Sequence, residues 1–264
     1  MLGFSKLVSY VVRQQPEPES ATLFHLYNLV LAIYRNVLEQ GIMASLFVAV
    51  VYLVLFLVRH TVVGRATAAA YAFPIATAVG IATAAAMLLV GPLFALLAVA
   101  HKWVFLGTVR EAVHYAHRSL QHSLWIGAFS FGMNASGLMR LYSNTKVLNT
   151  LARMTGAKIG TNVRMSNYLA SPEGDLLEVG DNTHIGSTAG IYQHNFSHGD
   201  LNFEQVKLGK ACRIVSRLHL VPGTILADGV HVGPHSMVLP GRHLIRSANM
   251  QVDIVINSVG FTVL

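Results

Sequence analysis

Long uncharged stretches dominate the first hundred residues of the chain. The run from Ile42 to Val58 contains 17 residues without a charge, which as a helix would be about 25 Å long, the lower end of what crosses a bilayer. The run from Thr67 to Ala100 contains 34. Gly91-Pro92 is expected to divide it, because proline suits the first turn of a helix better than its interior. The pattern predicts two or three transmembrane helices within residues 42–100.

The segments on either side of these runs have a mixed, roughly helical pattern. Residues 1–41 are predicted to form an amphipathic, interfacial helical segment, and residues 101–155 an interfacial helical connector. His114, His117 and His122 would lie near one another on such a connector helix, an arrangement that would allow a metal pair. No carboxylate stands at ligand spacing, so we expect an ordinary interfacial face instead.

After Gly156 the apolar residues recur with a period of six. Aliphatic residues begin successive hexads at Leu208, Ile214, Leu220, Leu226 and Val232, and earlier at Ile159, Val179 and Ile185. A period of six fits a triangular stack in which each hexad supplies one short strand and one corner. The first residue should fill the interior, the fifth should pack beside it, and glycine or asparagine should supply the corner dihedrals. Residues 156–241 are assigned to this stack and residues 242–264 to a C-terminal tail.

Composition and charge support a membrane location. The chain is 53% hydrophobic and 12% charged, with a mean hydropathy of +0.50. Residues 1–155 contain 11 Lys/Arg and 4 Asp/Glu, and residues 156–264 contain 8 Lys/Arg and 8 Asp/Glu. The whole net charge of +7 therefore lies in the apolar half. This distribution favours anionic headgroups over nucleic acid as the partner. With three spans, the positive-inside rule would place the stack in the cytoplasm.

The single cysteine, Cys212, excludes an intrachain disulfide framework and a cysteine metal site. It occupies the fifth place of a hexad, so we assign it to packing. The hexad period breaks twice, around "SNYLASPEGDLL" and between Ile191 and Leu208. The second break contains "GIYQHNFSHGDLNF", residues 190–203, which must therefore bulge outward from the stack.

The hexads resemble those of hexapeptide-repeat proteins, whose fold is a left-handed parallel β-helix and which typically form trimers. The resemblance implies that the predicted transmembrane helices are followed by a C-terminal left-handed parallel β-helix, as a homotrimer or pseudo-trimer. The fold class is therefore an α-helical transmembrane N-terminal region plus that β-helix. In hexapeptide acyltransferases a loop histidine acts as general base, for which imidazole suits neutral pH. The resemblance makes His194 the candidate base, with Asn195 or Asp200 to orient it and His198 as the alternative. The donor it implies is a thioester, of coenzyme A or a phosphopantetheine carrier, used as co-substrate with no tightly bound cofactor.

A second resemblance covers residues 102–241. The segments "HKWVFLGTVREAVHYAHRSLQHSLW", "TLARMTGAKIGTNVRMSNYL", "LLEVGDNTHIG" and "IYQHNFSHG" are similar to the C-terminal membrane region of poly-lysine-synthetase-type nonribosomal peptide synthetases. That family joins aminoacyl units through three tandem acetyltransferase-like domains, so the resemblance implies carrier or synthetase domains as partners. The 264 residues contain one such stack and no adenylation or carrier domain, so the chain is either part of a larger synthetase or a stand-alone relative.

Two other functions are compatible with the pattern. A γ-class carbonic anhydrase uses the same fold, and His194, His231 and His235 could supply its metal ligands. That family's close pair is five positions apart whereas here the spacing is four, so we expect no metal. The other alternative is a non-catalytic membrane scaffold. His184, His219 and His231 end their hexads and are expected to be exposed at corners.

Overall fold

The computed structural model describes residues 21–62, 68–111, 113–116, 119–167, 171–197 and 200–234, with short strands at 237–238, 243–244, 256–257 and 260–261. The first twenty residues lie outside the described part of the chain, as do His117, His198 and His235. The predictions made for them therefore stay predictions.

Four α-helices precede the parallel sheets in the described residues. They are α1 (Ala21–Val62), α2 (Ala68–Phe105), α3 (Leu120–Leu138) and α4 (Lys146–Met154), with a 3-10 turn at Met139–Tyr142. Helix α1 packs against α2 and α3, and α2 also packs against α3 and α4. Among the described residues, one stretch, Val79–Phe105, is long and apolar enough to cross a membrane.

Helix α2 passes through Gly91-Pro92 without a break, so the predicted division there is wrong. Proline lacks an N–H and leaves the carbonyl four residues earlier without its helical partner. Here that carbonyl belongs to Leu88, and the Tyr142 hydroxyl donates a hydrogen bond to it. A side chain from the following 3-10 turn thus replaces the missing helical bond. Helix α1 likewise continues across the predicted boundary at residue 41.

The segment 101–155, predicted as a helical connector, contains helices interrupted by a short strand. Helix α2 ends at Phe105, and a two-residue strand, β1 (His114–Tyr115), precedes α3. Strand β1 pairs antiparallel with a strand of the hairpin described below. His114 and His122 therefore lie on different elements, one on β1 and one buried in α3.

From Lys158 onward the chain visits three parallel sheets in rotation. The first contains β2 (Lys158–Ile159), β4 (Leu177–Val179), β9 (Val206–Leu208), β12 (Ile225–Leu226) and β15 (His243–Leu244). The second contains β3 (Arg164–Met165), β5 (His184–Ile185), β10 (Arg213–Ile214) and β13 (His231–Val232). The third contains β6 (Gly190–Ile191), β11 (His219–Leu220) and β14 (Met237–Val238). We call these strands the three-sheet stack. Beyond it, β16 (Ile256–Asn257) and β17 (Gly260–Phe261) form an antiparallel pair.

The hexad positions have distinct environments in the three-sheet stack. The aliphatic first residues are buried, as are fifth residues such as Thr183, Cys212 and Leu218. The fourth residues Asn162 (φ 51), Asn182 (φ 57), Gly223 (φ 76) and Gly229 (φ 70) adopt the left-handed backbone conformation at their corners. Thr188, Ala211 and Arg217 do so as well, although side chains with a Cβ enter this region at a cost. The stacked neighbours above and below hold these corners in place.

One hydrophobic core connects the helices with the three-sheet stack. It extends from Phe94 on α2 through Leu148 on α4 to Val232 on β13. A second cluster joins Trp125 and Ala128 of α3 to Leu201 and Phe203. Both of these last residues belong to a hairpin, β7 (His194–Ser197) and β8 (Asp200–Phe203), which leaves the stack after β6. The second break of the hexad period is this hairpin, and α3 supports it.

Candidate functional site

His194 begins the hairpin and faces helix α3. Its side chain is 10% exposed. The ring packs edge-on against Trp125 and Phe129 of α3, at centroid distances of 4.5 and 5.2 Å. The rings of Tyr192 and Phe196 also contact the His194 ring, at centroid distances of 5.8 and 6.0 Å. Four aromatic rings therefore fix the position of the imidazole.

Glu173 binds the Nδ1 atom of His194 through its Oε1 oxygen. Its side chain is completely buried. The second oxygen, Oε2, accepts a hydrogen bond of 3.1 Å from the indole Nε1 of Trp125. Because an indole nitrogen can only donate, the carboxylate acts as acceptor towards Trp125. Both carboxylate oxygens are thus satisfied in a place that water does not reach, as a buried acid requires.

The first break of the hexad period supplies Glu173. The residue precedes a 3-10 turn, Gly174–Leu176. Asp175 in that turn accepts hydrogen bonds from the Lys102 ammonium at 2.8 Å and from the Val109 backbone N–H at 2.9 Å. Lys102 falls in the segment predicted to be interfacial, and its side chain is 2% exposed. The end of α2 therefore holds the turn that presents Glu173.

The contact between Glu173 and His194 replaces the orienting contact predicted for Asn195 or Asp200. Side chains alternate between the two faces of a strand. Asn195 follows His194 and pairs across the hairpin with Asn202, while Asp200 pairs with Ser197. Both therefore lie on the face opposite His194. The Oδ1 atom of Asn195 is buried and has no hydrogen-bond partner among the described residues.

Two signals could have pointed to Glu173 and Trp125. The two breaks of the period fall in consecutive turns of the repeat, so their residues were candidates to meet in space. Trp125 lies within "RSLQHSLW", which contributes to the synthetase resemblance. Neither signal reveals that the indole faces a carboxylate, because that depends on how α3 docks on the hairpin.

A cleft of about 290 Å³ lies beside His194, between α3 and the three-sheet stack. Phe129 and Tyr192 line one part of the cleft and also pack against the His194 ring. Tyr192 stacks on His219, which lines the cleft from the third sheet, at a centroid distance of 5.9 Å. Arg140 lies in the lining as well, on the 3-10 turn that follows α3. His194 is not itself among the described lining residues, so the Phe129 and Tyr192 rings connect this cleft to the imidazole.

A larger cleft, of about 450 Å³, opens on the second sheet. Arg164, His184 and Arg213 lie there in register on three neighbouring strands. His184, Arg213 and His231 are exposed, as the hexad pattern predicted for the two histidines. The cleft holds basic groups without a carboxylate in its lining. Its chemistry is therefore that of a cationic surface.

The structure assigns His194 and His231 to different surroundings. His231 lies on β13 beside Arg213, whereas the Nδ1 atom of His194 is bound to Glu173. Within the described residues, no group of three His, Cys, Asp or Glu side chains is placed to hold a metal ion. Cys212 is fully buried, and burial raises the pKa of its thiol, which makes it a poor nucleophile.

The arrangement of Trp125, Glu173 and His194 is suited to proton transfer. The carboxylate favours the tautomer with the proton on Nδ1, which leaves a lone pair on Nε2. No described residue forms a hydrogen bond with Nε2. A carboxylate that fixes the tautomer and orientation of a histidine is the arrangement by which the imidazole acts as general base and then as general acid.

No protein-family model matches the chain, and no curated protein sequence matches it. Among solved structures, a maltose O-acetyltransferase from Clostridium difficile 630 is similar over 49% of this chain and 83% of its own length, at 17% sequence identity and a TM-score of 0.32. At this TM-score the similarity carries no argument, so the function has to be argued from the site.

Proposed function

We propose that this chain is a membrane-anchored acyltransferase or aminoacyl-transferase-like module that forms amide or ester bonds from a thioester donor. The observation that carries the proposal is the His194 imidazole, bound at Nδ1 by a buried carboxylate and packed against two aromatic rings that also line a cleft. The three-sheet stack is, in this proposal, a left-handed parallel β-helix of the hexapeptide-repeat type, assembled as a trimer or pseudo-trimer. The stretch Val79–Phe105 supports the anchor, with the stack on the cytoplasmic side.

The reaction follows from the site. The acceptor, a hydroxyl or an amine, gives its proton to the Nε2 atom of His194 as its oxygen or nitrogen attacks the thioester carbonyl. A new C–O or C–N bond forms and the C–S bond breaks. The leaving thiolate then takes the proton back from Nε2. Glu173 stabilises the imidazolium that exists between the two transfers, because its carboxylate bears the opposite charge.

The position of the site fits an acceptor that reaches the membrane surface. Helix α3 bears Trp125 and Phe129 and packs against α2, which contains the candidate span. An amphiphilic acceptor could therefore approach the cleft while part of it stays in the headgroup region.

Turnover by the full chain in lipid vesicles tests the proposal. Thiol release from acyl-CoA and acyl-phosphopantetheine is measured with a panel of amine and alcohol acceptors. His194→Ala should lower the rate about 10²- to 10⁴-fold, the usual contribution of a general base. His25→Ala is the matched control, because His25 is exposed on α1, and it should retain the rate. If His194→Ala folds normally and keeps full turnover, His194 is not the base. If the wild-type chain turns over no donor, the chain has the role of a scaffold instead.

A further inference from the structure

A buried ion pair lies between the end of helix α2 and the turn that presents Glu173. The Lys102 ammonium and the Asp175 carboxylate are 2.8 Å apart, and their side chains are 2% and 13% exposed. Such a pair contributes little more stability than an apolar pair of the same volume, because both charges lose their water. It does fix geometry, since neither charge can leave its partner without a large cost. The pair is therefore suited to holding the turn in one place.

The Lys102 ammonium also contacts the residue that follows it in α2. It lies 3.3 Å from the centroid of the Trp103 ring, and the face of an indole attracts a cation. The Nε1 atom of Trp103 donates a hydrogen bond of 2.7 Å to the carbonyl oxygen of Met154, at the end of α4. Asp175 accepts a further hydrogen bond, of 2.9 Å, from the backbone N–H of Val109. The ion pair is thus connected to α2, to the chain after α2 and, through Trp103, to α4.

The turn itself, Gly174–Leu176, lies directly against the end of α4. A Cβ added to Gly156 would overlap the Asp175 carboxylate, and a Cβ added to Gly174 would overlap the Thr155 hydroxyl. Gly156 also has a positive φ of 104°, which residues with a Cβ rarely adopt. The turn therefore has no room to shift towards α4.

Glu173 precedes the turn and depends on it for its position. Its carboxylate binds the Nδ1 atom of His194 with Oε1 and accepts the hydrogen bond of the Trp125 indole with Oε2. Both bonds require the carboxylate in one place, because hydrogen bonds weaken steeply when their geometry is poor. A displacement of about 1 Å near a reacting group can lower a rate about 100-fold. Movement of the turn should therefore weaken the contact that sets the His194 tautomer.

We infer that Lys102 and Asp175 are positioning residues for the reaction proposed above. Their ion pair fixes the turn, and the turn keeps the Glu173 carboxylate on His194. Lys102 belongs to the candidate span, Val79–Phe105, so the ion pair connects that span to the site. The inference rests on the proposed function, because it concerns the base of that reaction.

The test removes both charges at once, with Lys102→Met and Asp175→Asn in one chain. Neither partner is then left as an unpaired charge, so this neutral-pair variant should fold and melt near the wild-type temperature. With the full chain in lipid vesicles, its kcat for thiol release should fall about 10- to 100-fold while KM stays unchanged, because the change reaches the base and not the bound substrate. Lys158→Met with Glu178→Gln is the matched control, because it neutralises an exposed ion pair on the first sheet. It should leave kcat unchanged.

A double-mutant cycle separates positioning from a general structural effect. If the ion pair acts through Glu173, the neutral pair should lower kcat at most a few-fold when Glu173→Gln is already present. An equal loss in both backgrounds, or a wild-type kcat in the neutral-pair variant, would overturn the inference and leave the proposed function intact.

A second variant is available if the neutral-pair variant does not fold. Asp175→Glu keeps the charge but moves the carboxylate by about 1.5 Å, the length of one C–C bond. Its kcat should fall with KM unchanged, because the turn has to shift to keep the ion pair. A wild-type kcat in Asp175→Glu would count against the inference.

The Trp125 indole provides a readout that does not depend on turnover. The chain has two tryptophans, so NMR of the isotope-labelled indoles in detergent follows each N–H, and Trp125→Phe assigns the signals. Hydrogen exchange of the Trp125 indole should be roughly tenfold faster in the neutral-pair variant than in the wild type, because its acceptor has moved. If the wild-type chain turns over no donor, the proposed function fails, and this measurement decides whether the ion pair positions Glu173. An unchanged exchange rate would then overturn the inference.

Discussion

Replacing Glu173 with glutamine tests the site most sharply, because the Glu173 carboxylate accepts hydrogen bonds from two donors at once. Its Oε1 atom binds His194 Nδ1 and its Oε2 atom binds Trp125 Nε1. A glutamine amide has one acceptor oxygen and one donor nitrogen. With the oxygen towards the indole, the amide nitrogen selects the His194 tautomer that has its proton on Nε2 and cannot act as base. With the oxygen towards His194, two N–H donors face each other in a fully buried place.

The structure sets the size of the effect. An unsatisfied buried donor costs about 1–3 kcal/mol, and this cost disfavours the orientation that keeps the base competent. The competent fraction therefore falls roughly 5- to 150-fold, since 1.4 kcal/mol is a factor of ten. We expect kcat of Glu173→Gln to fall by that factor, with little change in KM if donor binding depends on the cleft.

Trp125→Phe removes the competing donor and provides the decisive comparison. In that background the glutamine can turn its oxygen towards His194 without opposing an N–H, so Glu173→Gln should lower kcat only a few-fold. Thiol release by the wild type, both single variants and the double variant gives this double-mutant cycle. Thermal unfolding by circular dichroism confirms that each variant folds. Equal losses from Glu173→Gln in both backgrounds would refute the proposed tautomer control.

Three further predictions concern the surroundings of the site. Lys102→Met leaves the Asp175 carboxylate without its partner at 2.8 Å, so it should lower the free energy of unfolding by about 3–5 kcal/mol, measured by thermal shift in detergent. Cys212 should react with a disulfide reagent only after denaturation, because it is fully buried and burial raises its pKa; rapid labelling of the native chain would contradict its assignment to packing. Gly180→Ala places a Cβ 2.6 Å from the backbone of the neighbouring turn and should cost about 1–3 kcal/mol. Gly80→Ala, in open space on α2, should cost nothing.

The hexad pattern predicted which residues are buried, but it predicted only some of the residues that form the corners. The interior positions followed from the repeat, because each aliphatic residue has the same neighbours in the turns above and below. The corners were expected at glycine and asparagine, yet Ala211 and Arg217 also adopt positive φ there. Stacking on both sides fixes the corner geometry, so the local preference of a residue is overridden.

In the helical region, by contrast, the sequence pattern predicted an interruption that the structure does not have. A proline within an apolar run predicted a break at Pro92, because sequence shows the missing N–H and not what replaces it. The replacement is the Tyr142 hydroxyl, which lies fifty-four positions along the chain from Leu88, whose carbonyl it binds. Only the packing of the 3-10 turn against α2 reveals it.

The family resemblance implied His194 as the candidate base. By itself, the sequence determined the apolar character of the N-terminal half and the six-residue repeat with its buried positions. Periodic and local properties of the sequence specify these features, because each depends on residues that are close together along the chain. The tertiary structure decided what surrounds His194: Glu173 from the first break of the repeat, and Trp125 and Phe129 from α3. These residues meet because α3 docks between α2 and the hairpin, and contacts between segments so distant along the chain leave no periodic trace in the sequence.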